Sequence, residues 1–175
     1  MRENLLSALL GSAIAQRNPD INTRSTSLLT VNTTSGAYTG FVNESLPYVH
    51  QWHGIPFGNP PTKDLRFRAA VKAPYHGNGP HNATSYRPIC IQNSDTSSGV
   101  FWTLLPEFQN TEPQSEDCLF LNIWAPRTPG LRGDKVPVIV WVVGGGFQEG
   151  GGHAPYQVPD RWIERTQSHI VVTFK

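Results

Sequence analysis

The sequence of 175 residues has little charge, and its charges nearly balance: 14 Lys and Arg against 13 Asp and Glu give a net charge of +1. A chain without basic excess has no stripe suited to a phosphate backbone, so we expect no nucleic-acid partner. No apolar run reaches the roughly 20 residues that a membrane-spanning helix needs, so we expect no membrane segment in the mature chain. The absence of a Gly-x-y period excludes a collagen-like protein.

The first fifteen residues have the pattern of a secretory signal peptide. Residues 5–15 are an apolar stretch after Arg2, and Ala13-Ile14-Ala15 matches an A-x-A cleavage site. We interpret residues 1–15 as a signal peptide and 16–26 as a loose polar N-terminus. The alternative is an ordinary amphipathic N-terminal helix.

Two further features favour a secreted, extracellular protein. Asn32, Asn43 and Asn82 each begin an Asn-x-Ser/Thr acceptor sequence for N-glycosylation. Cysteine is scarce, with Cys90 and Cys118 alone, which is an even number in a compartment where disulfides persist. If the signal peptide is absent, two free buried thiols are the alternative.

Apolar patterning predicts an N-terminal antiparallel part that leads into an α/β sheet. Strand formers at 28–31 and 37–42 flank an Asn/Thr/Ser/Gly turn, which is typical of a β-hairpin. Residues 49–55 and 119–124 also have strand composition. Residues 74–117 are rich in Pro, Asn, Ser, Thr and Gly, which indicates a mostly irregular loop or lid.

A βαβ unit is predicted at the C-terminal end of the sequence. Residues 136–143 and 170–174 are nearly continuous apolar runs, typical of strands buried on both faces. A helix is predicted over 160–169, with Trp162, Ile163 and Thr166 on one face. Since one βαβ unit cannot cover such strands, we expect the sequence to be a piece of a longer chain.

Gly144-Gly145-Gly146-Phe147 directly follows the first of these apolar runs. Consecutive glycines allow a positive φ and close approach to a ligand, and their N–H groups can form an anion-binding nest. The spacing fits neither a Gly-Lys-Ser/Thr phosphate loop nor G-x-G-x-x-G. A plain turn and the oxyanion hole of an acyl-transfer enzyme both stay open on local sequence.

Four blocks, in order, resemble the type-B carboxylesterase family of α/β-hydrolases, which includes cholinesterases and fungal lipases. They are WHGIPFGNPPTKDLRFRAAVKA (52–73), SEDCLFLNIW (115–124), VIVWVVGGGFQEG (138–150) and SHIVVTF (168–174). The resemblance implies that residues 27–175 are the N-terminal part of a carboxylesterase domain. Its fold is then a partial α/β-hydrolase fold, in which an antiparallel hairpin leads into a mostly parallel sheet truncated before the nucleophile elbow.

The resemblance also implies roles for residues of the glycine run and for the two cysteines. Gly145 and Gly146 correspond to the oxyanion-hole donors, and Gly144 shapes the turn. Cys90 and Cys118 correspond to a family disulfide that closes residues 90–118 into a surface flap, which acts as a lid in the lipases.

The resemblance also implies an ion pair at the base of the flap and an apolar surface beneath it. Arg66 and Glu116 correspond to a family ion pair at the flap base, expected as a buried bidentate pair; two unpaired surface charges are the alternative. The apolar underside of the flap, or alternatively local core packing, is assigned to Trp102, Leu104, Leu105 and Phe108.

The chain departs from the family pattern in two ways. Val143 stands where many members have His or Tyr, which alters the surroundings of the glycines but not their backbone donors. The nucleophile motif G-x-S-x-G occurs nowhere in the 175 residues. The histidines do not replace it. His50 and His53 form a weak H-x-x-H metal pattern but are expected to be solvated or hydrogen-bonded strand residues. His153 follows the glycine run and is expected to be an exposed loop residue, with a place in the pocket lining as the alternative.

The resemblance implies a carboxylic ester hydrolase that acts through a Ser-His-acid triad, without metal ion or cofactor, on a small-molecule or lipid ester. Because the triad is absent from these residues, we expect this chain alone to be inactive. The alternatives are a non-catalytic, cholinesterase-like binding protein and a truncated, non-functional gene product.

Overall fold

The computed structural model of the protein describes residues 29–93, 104–105, 112–127, 135–146 and 148–174. The predicted signal peptide (1–15) and loose segment (16–26) lie outside the described residues, as do Trp102 and Phe108. The described residues form a mixed five-stranded sheet, a smaller three-stranded sheet and a two-stranded pairing.

The five-stranded sheet carries most of the core and the βαβ unit. Its strands in spatial order are β3 (Phe41–Val42), β4 (Val49–Pro56), β8 (Phe120–Pro126), β10 (Ile170–Phe174) and β9 (Val138–Val142). In this sheet β9 and β10 are parallel, whereas the other three pairings are antiparallel. The expected mostly parallel sheet is therefore wrong for the described residues. Parallel neighbours need a crossover connection, which is usually a helix. Among the described strands of this sheet, only β9 and β10 are joined by a helix.

The smaller sheet contains the predicted hairpin. β1 (Thr30–Thr33) pairs antiparallel with β2 (Gly36–Thr39), and β2 pairs parallel with β5 (His76–Asn82). β5 lies inside the segment predicted to be mostly irregular. At Gly40 the chain passes from this sheet to the larger one, and a β-carbon there would lie 2.2 Å from the carbonyl oxygen of Gln51.

The helix of the βαβ unit, α1 (Asp160–Thr166), is shorter than predicted. It ends because Gln167 adopts a left-handed conformation, φ 49°. Ile163 is fully buried, whereas Trp162, predicted on the same face, is 51% exposed and lines an open groove with Ile139 and Trp141 of β9. Among the residues of α1, Ile163 alone is buried.

The prediction that residues 136–143 form a doubly buried strand is also wrong for the described residues. All five residues of β9 are exposed, because β9 lies at the edge of the sheet and α1 packs on β4 and β8 instead. In β10, by contrast, buried and half-buried positions alternate. The core instead lies around β4 and β8.

Two clusters of buried side chains form this core. The indole Nε1 of Trp52 donates to the carbonyl of Leu29 at 2.8 Å, which joins the small sheet to the large one. The first cluster contains Leu29, Tyr38, Trp52, Ile55 and Ala83. The second contains Leu46, Val49, Trp124, Ile163 and Val171. The second cluster packs α1 against the face of β4 and β8. The segment between β9 and α1 must therefore cross the sheet to reach this face.

Candidate functional site

The glycine loop, residues 144–152 without the undescribed Phe147, leaves the end of β9 and folds back on itself. The N–H groups of Gln148 and Glu149 both donate to the carbonyl of Gly145, each at 3.1 Å. A β-carbon at Gly145 would lie 1.7 Å from the carbonyl oxygen of Glu149. One at Gly150 would lie 2.6 Å from the carbonyl oxygen of Gly144. Glycine is therefore required at 145 and 150, because the two arms of the loop touch through their backbones.

Gly144 and Gly146 are less crowded than Gly145 and Gly150. Gly146 adopts a left-handed φ of 61°, whereas a β-carbon at Gly144 or Gly146 would meet no atom within 4 Å. Residues 144–146 are exposed. Among the described residues, the amides of Gly145 and Gly146 donate to no acceptor. Two neighbouring backbone donors are thus left for solvent or a ligand.

The sheet anchors both ends of the loop. At the start, the N–H of Val143 donates to the carbonyl of Phe174 at 3.3 Å. At the far end, the Thr173 hydroxyl donates to the carbonyl of Gly152. Thr173 in turn accepts from the Asn122 amide at 3.4 Å.

Asn122 extends this network to a third strand. Its carbonyl oxygen accepts from the N–H of Gly54 in β4 at 3.0 Å. Asn122 and Thr173 are both buried, so their polar groups need these partners. Sequence reasoning missed the pair. The available signal was a polar residue at an inward position of each of two otherwise apolar strands.

The flap base lies beside the loop. Cys90 and Cys118 form a disulfide with Cα atoms 4.9 Å apart. β6 (Ile89–Cys90) pairs with β7 (Gln114–Ser115), which brings the start and end of the flap together. A cavity of about 20 Å³, large enough for about one water molecule, lies between the disulfide, Gly152 and His153.

Arg66 and Glu116 meet at this base in a bidentate ion pair. The guanidinium Nη2 donates to Oε2 at 2.7 Å, and Nε donates to Oε1. The side chains are 54% and 32% exposed, so the expected burial of this pair is wrong. Arg66 lies on a surface turn, where solvent reaches the contact. Hydrogen bonding to Arg66 lowers the pKa of Glu116.

Three aromatic rings stack behind the loop. Tyr86 lies between His53 and His153, with ring centroids 4.0 Å and 4.4 Å apart and both interplanar angles 13°. Both histidines are buried, and their Nε2 atoms have no hydrogen-bond partner among the described residues. The prediction of an exposed His153 is therefore wrong, and the ring lines the small cavity beside Gly152, as the alternative had it. At His53 the Nε2 atom is neither solvated nor hydrogen-bonded among the described residues. Residues distant in sequence enclose them.

Burial controls the protonation of this stack. Burial, with His153 nearby, lowers the pKa of His53 to about 3. Burial also lowers the pKa of His153, against an opposing effect of Glu112. Both imidazoles are therefore neutral near pH 7. His50 is half-buried, and burial followed by the charge of Arg127 lowers its pKa as well.

The remaining predicted site residues lie at the surface. Asn32, Asn43 and Asn82 are exposed. Leu104 is 70% exposed and Leu105 is half-buried. Within the described ranges, no three His, Cys, Asp or Glu side chains lie close enough to share a metal ion. No helix in the same ranges is long and apolar enough to cross a bilayer.

Comparison with known proteins adds independent evidence. A sequence model of the carboxylesterase family matches residues 27–175. The chain is 44% identical to a chlorogenic acid esterase of Aspergillus niger over 146 residues, which are 82% of this chain and 28% of that protein. It is 31% identical to secreted lipase 5 of Gibberella zeae over an alignment 188 residues long, which covers 98% of this chain and 34% of the lipase.

Solved structures agree with the sequence comparisons. A thermophilic PNB esterase superposes with a TM-score of 0.68 at 34% identity, covering 83% of this chain and 27% of the esterase. A second PNB esterase structure gives a TM-score of 0.66 at 32% identity, covering 83% of this chain and 26% of that one. The α/β class is thereby confirmed, and the chain spans about a quarter to a third of the length of these relatives.

Proposed function

The chain belongs to the carboxylesterase family, and from this premise we propose that it is the N-terminal part of an enzyme that hydrolyses carboxylic esters. The substrate is a small-molecule or lipid ester. The reaction is acyl transfer through a serine nucleophile, a histidine and an acidic residue. No G-x-S-x-G motif is present in the 175 residues, so the nucleophile is assigned to the part of the protein that follows them.

The proposed contribution of this chain is the oxyanion hole. When a serine attacks the ester carbonyl, negative charge develops on the carbonyl oxygen. The amides of Gly145 and Gly146 would donate hydrogen bonds to that oxygen, and one such donor contributes roughly 2.7–4 kcal/mol to the transition state. Because the amides are backbone groups held by the loop, they need no reorganisation as the charge appears.

A single observation supports this assignment most strongly. Gly145 and Gly146 lie in an exposed turn whose geometry requires glycine at 145, and their amides have no acceptor among the described residues. A plain surface turn also leaves exposed amides to water. The membership of the chain in the carboxylesterase family favours the oxyanion hole over such a turn.

Further parts of the proposal concern the flap and the location of the protein. Residues 90–118 form the flap over the ester site. Residues 1–15 direct secretion, and a secreted lipase among the relatives supports this. Glycosylation is proposed at Asn32, Asn43 and Asn82, which are accessible to a glycosyltransferase.

The experiment compares two purified proteins with p-nitrophenyl butyrate as substrate: the 175-residue chain and the product of the reading frame continued beyond Lys175. The longer protein should hydrolyse the ester, and the 175-residue chain should be inactive. Hydrolysis by the shorter chain that Gly145→Pro abolishes would overturn the proposed division of the active site. A longer protein that lacks the serine motif and activity would instead support a non-catalytic binding protein.

A further inference from the structure

The side-chain amide of Gln92 pairs with the backbone of Gly150 in both directions. The N–H of Gly150 donates to Oε1 of Gln92 at 2.5 Å, and Nε2 of Gln92 donates to the carbonyl of Gly150 at 3.0 Å. A primary amide is suited to this role because it carries a donor and an acceptor side by side. Gln92 thus occupies the place of a neighbouring strand along one arm of the glycine loop.

The flap base holds Gln92 in place. Its Nε2 also donates to the carbonyl of Cys90 at 3.2 Å, and its backbone N–H donates to Oε1 of Gln114 at 2.9 Å. Cys90 is bonded to Cys118, and Gln114 belongs to β7. The amide therefore projects from a segment fixed by the disulfide and by strand pairing.

Gly150 is the residue through which this contact reaches the tip of the loop. It is buried, and it approaches Gly144 so closely that a β-carbon would lie 2.6 Å from the Gly144 carbonyl oxygen. Its neighbour Glu149 donates to the carbonyl of Gly145. A displacement of Gly150 consequently moves the arm on which Gly145 rests.

We propose that Gln92 is a positioning residue for the oxyanion hole, through which the disulfide-bonded base of the flap holds the glycine loop in its catalytic geometry. This inference rests on the proposed function for its catalytic part. The structural part, that Gln92 immobilises the loop, stands on the contacts of Gln92 with Gly150, Cys90 and Gln114.

Two substitutions separate an amide-specific role from simple space filling. Gln92→Ala removes both contacts to Gly150. Gln92→Glu keeps the size of the side chain, but its carboxylate can only accept, and it faces the carbonyls of Gly150 and Cys90. In acid the protonated carboxyl again offers one donor and one acceptor. Gln92→Glu should therefore be impaired near pH 7 and recover as the pH falls. Asn93→Ala is the matched control, since it alters an exposed amide one residue away.

The experiment measures hydrogen exchange of peptides covering residues 148–152, normalised to intrinsic rates, in the full-length product of the reading frame. Loss of the pairing should speed exchange about tenfold in Gln92→Ala and in Gln92→Glu at pH 7, because two hydrogen bonds to Gly150 are removed. The Gln92→Glu rate should return toward wild type in acid, and Asn93→Ala should match wild type. If Gln92→Ala does not fold, Gln92→Glu alone decides the outcome.

Ester hydrolysis by the same proteins tests the catalytic part. Gln92→Ala should lower kcat about tenfold with a smaller change in KM, and the activity of Gln92→Glu relative to wild type should rise as the pH falls. Unchanged exchange in the glycine loop, or a Gln92→Glu defect equal at both pH values, would overturn the inference. If the wild-type protein hydrolyses no ester, the proposed function fails, while the exchange data still decide whether Gln92 immobilises the loop.

Discussion

The carbonyl oxygen of Glu149 lies 1.7 Å from the position that a β-carbon on Gly145 would occupy. The contact is between backbone atoms, so no side-chain rotation can relieve it. The glycine loop is therefore tightly closed, and the run of glycines in the sequence reflects contact between its arms as well as positive φ.

This contact predicts unequal effects of two similar substitutions. Gly145→Ala should lower the free energy of unfolding by on the order of 3 kcal/mol, because the backbone of the loop must shift. Gly146→Ala should cost only about 1 kcal/mol, from the left-handed φ, because its β-carbon meets no atom within 4 Å. Chemical denaturation of the two variants and the wild type checks this. Equal losses would show that the arms of the loop do not touch.

The stacked histidines predict a loss of stability in acid. In the native state burial holds the pKa of His53 near 3, whereas the unfolded chain has its ordinary value of 6.5. Between these values the unfolded state binds the additional proton, so the free energy of unfolding falls as the pH drops from about 6.5 toward 3. His153 contributes in the same direction.

His53→Phe keeps a ring against Tyr86 and removes this titration. Its free energy of unfolding should depend less steeply on pH between 6.5 and 4 than that of the wild type. His76→Phe makes the same substitution at an exposed histidine and is measured alongside as the control. A wild-type slope in His53→Phe would mean that His53 is not the group that titrates.

The disulfide predicts a third effect. Replacing both Cys90 and Cys118 by Ser releases a loop with a sequence separation of 28, and should lower the free energy of unfolding by on the order of 3 kcal/mol. Urea unfolding of the double variant measures this. A negligible loss would show that the β6–β7 pairing and the Arg66–Glu116 contact hold the flap base without the disulfide.

Several elements could be predicted from sequence because their signals are local. The hairpin of β1 and β2 follows from strand formers around a turn, and the β9–α1–β10 unit follows from two apolar runs around a Gly-rich turn and a helix. The family resemblance predicted the pairing of Arg66 with Glu116 and of Cys90 with Cys118. Local sequence patterns contain no information on which residues pair.

Other features depend on residues far apart in the chain. β5 has the sequence HGNGPHN, which lacks strand formers, and pairing with β2 makes it a strand. The burial of His53 depends on Tyr86, 33 positions further along, and the role of Gln92 depends on Gly150. The apolar run of β9 predicted burial, but β9 is an edge strand among the described residues.

The most direct test of the oxyanion-hole assignment is a crystal structure of the full-length protein with a phosphonate bound covalently to its nucleophilic serine. The phosphonyl oxygen stands in for the oxyanion of the tetrahedral intermediate. We expect it to lie about 2.7–3.1 Å from the amide nitrogens of Gly145 and Gly146. A phosphonyl oxygen held by other donors, with these two amides directed away from it, would contradict the account.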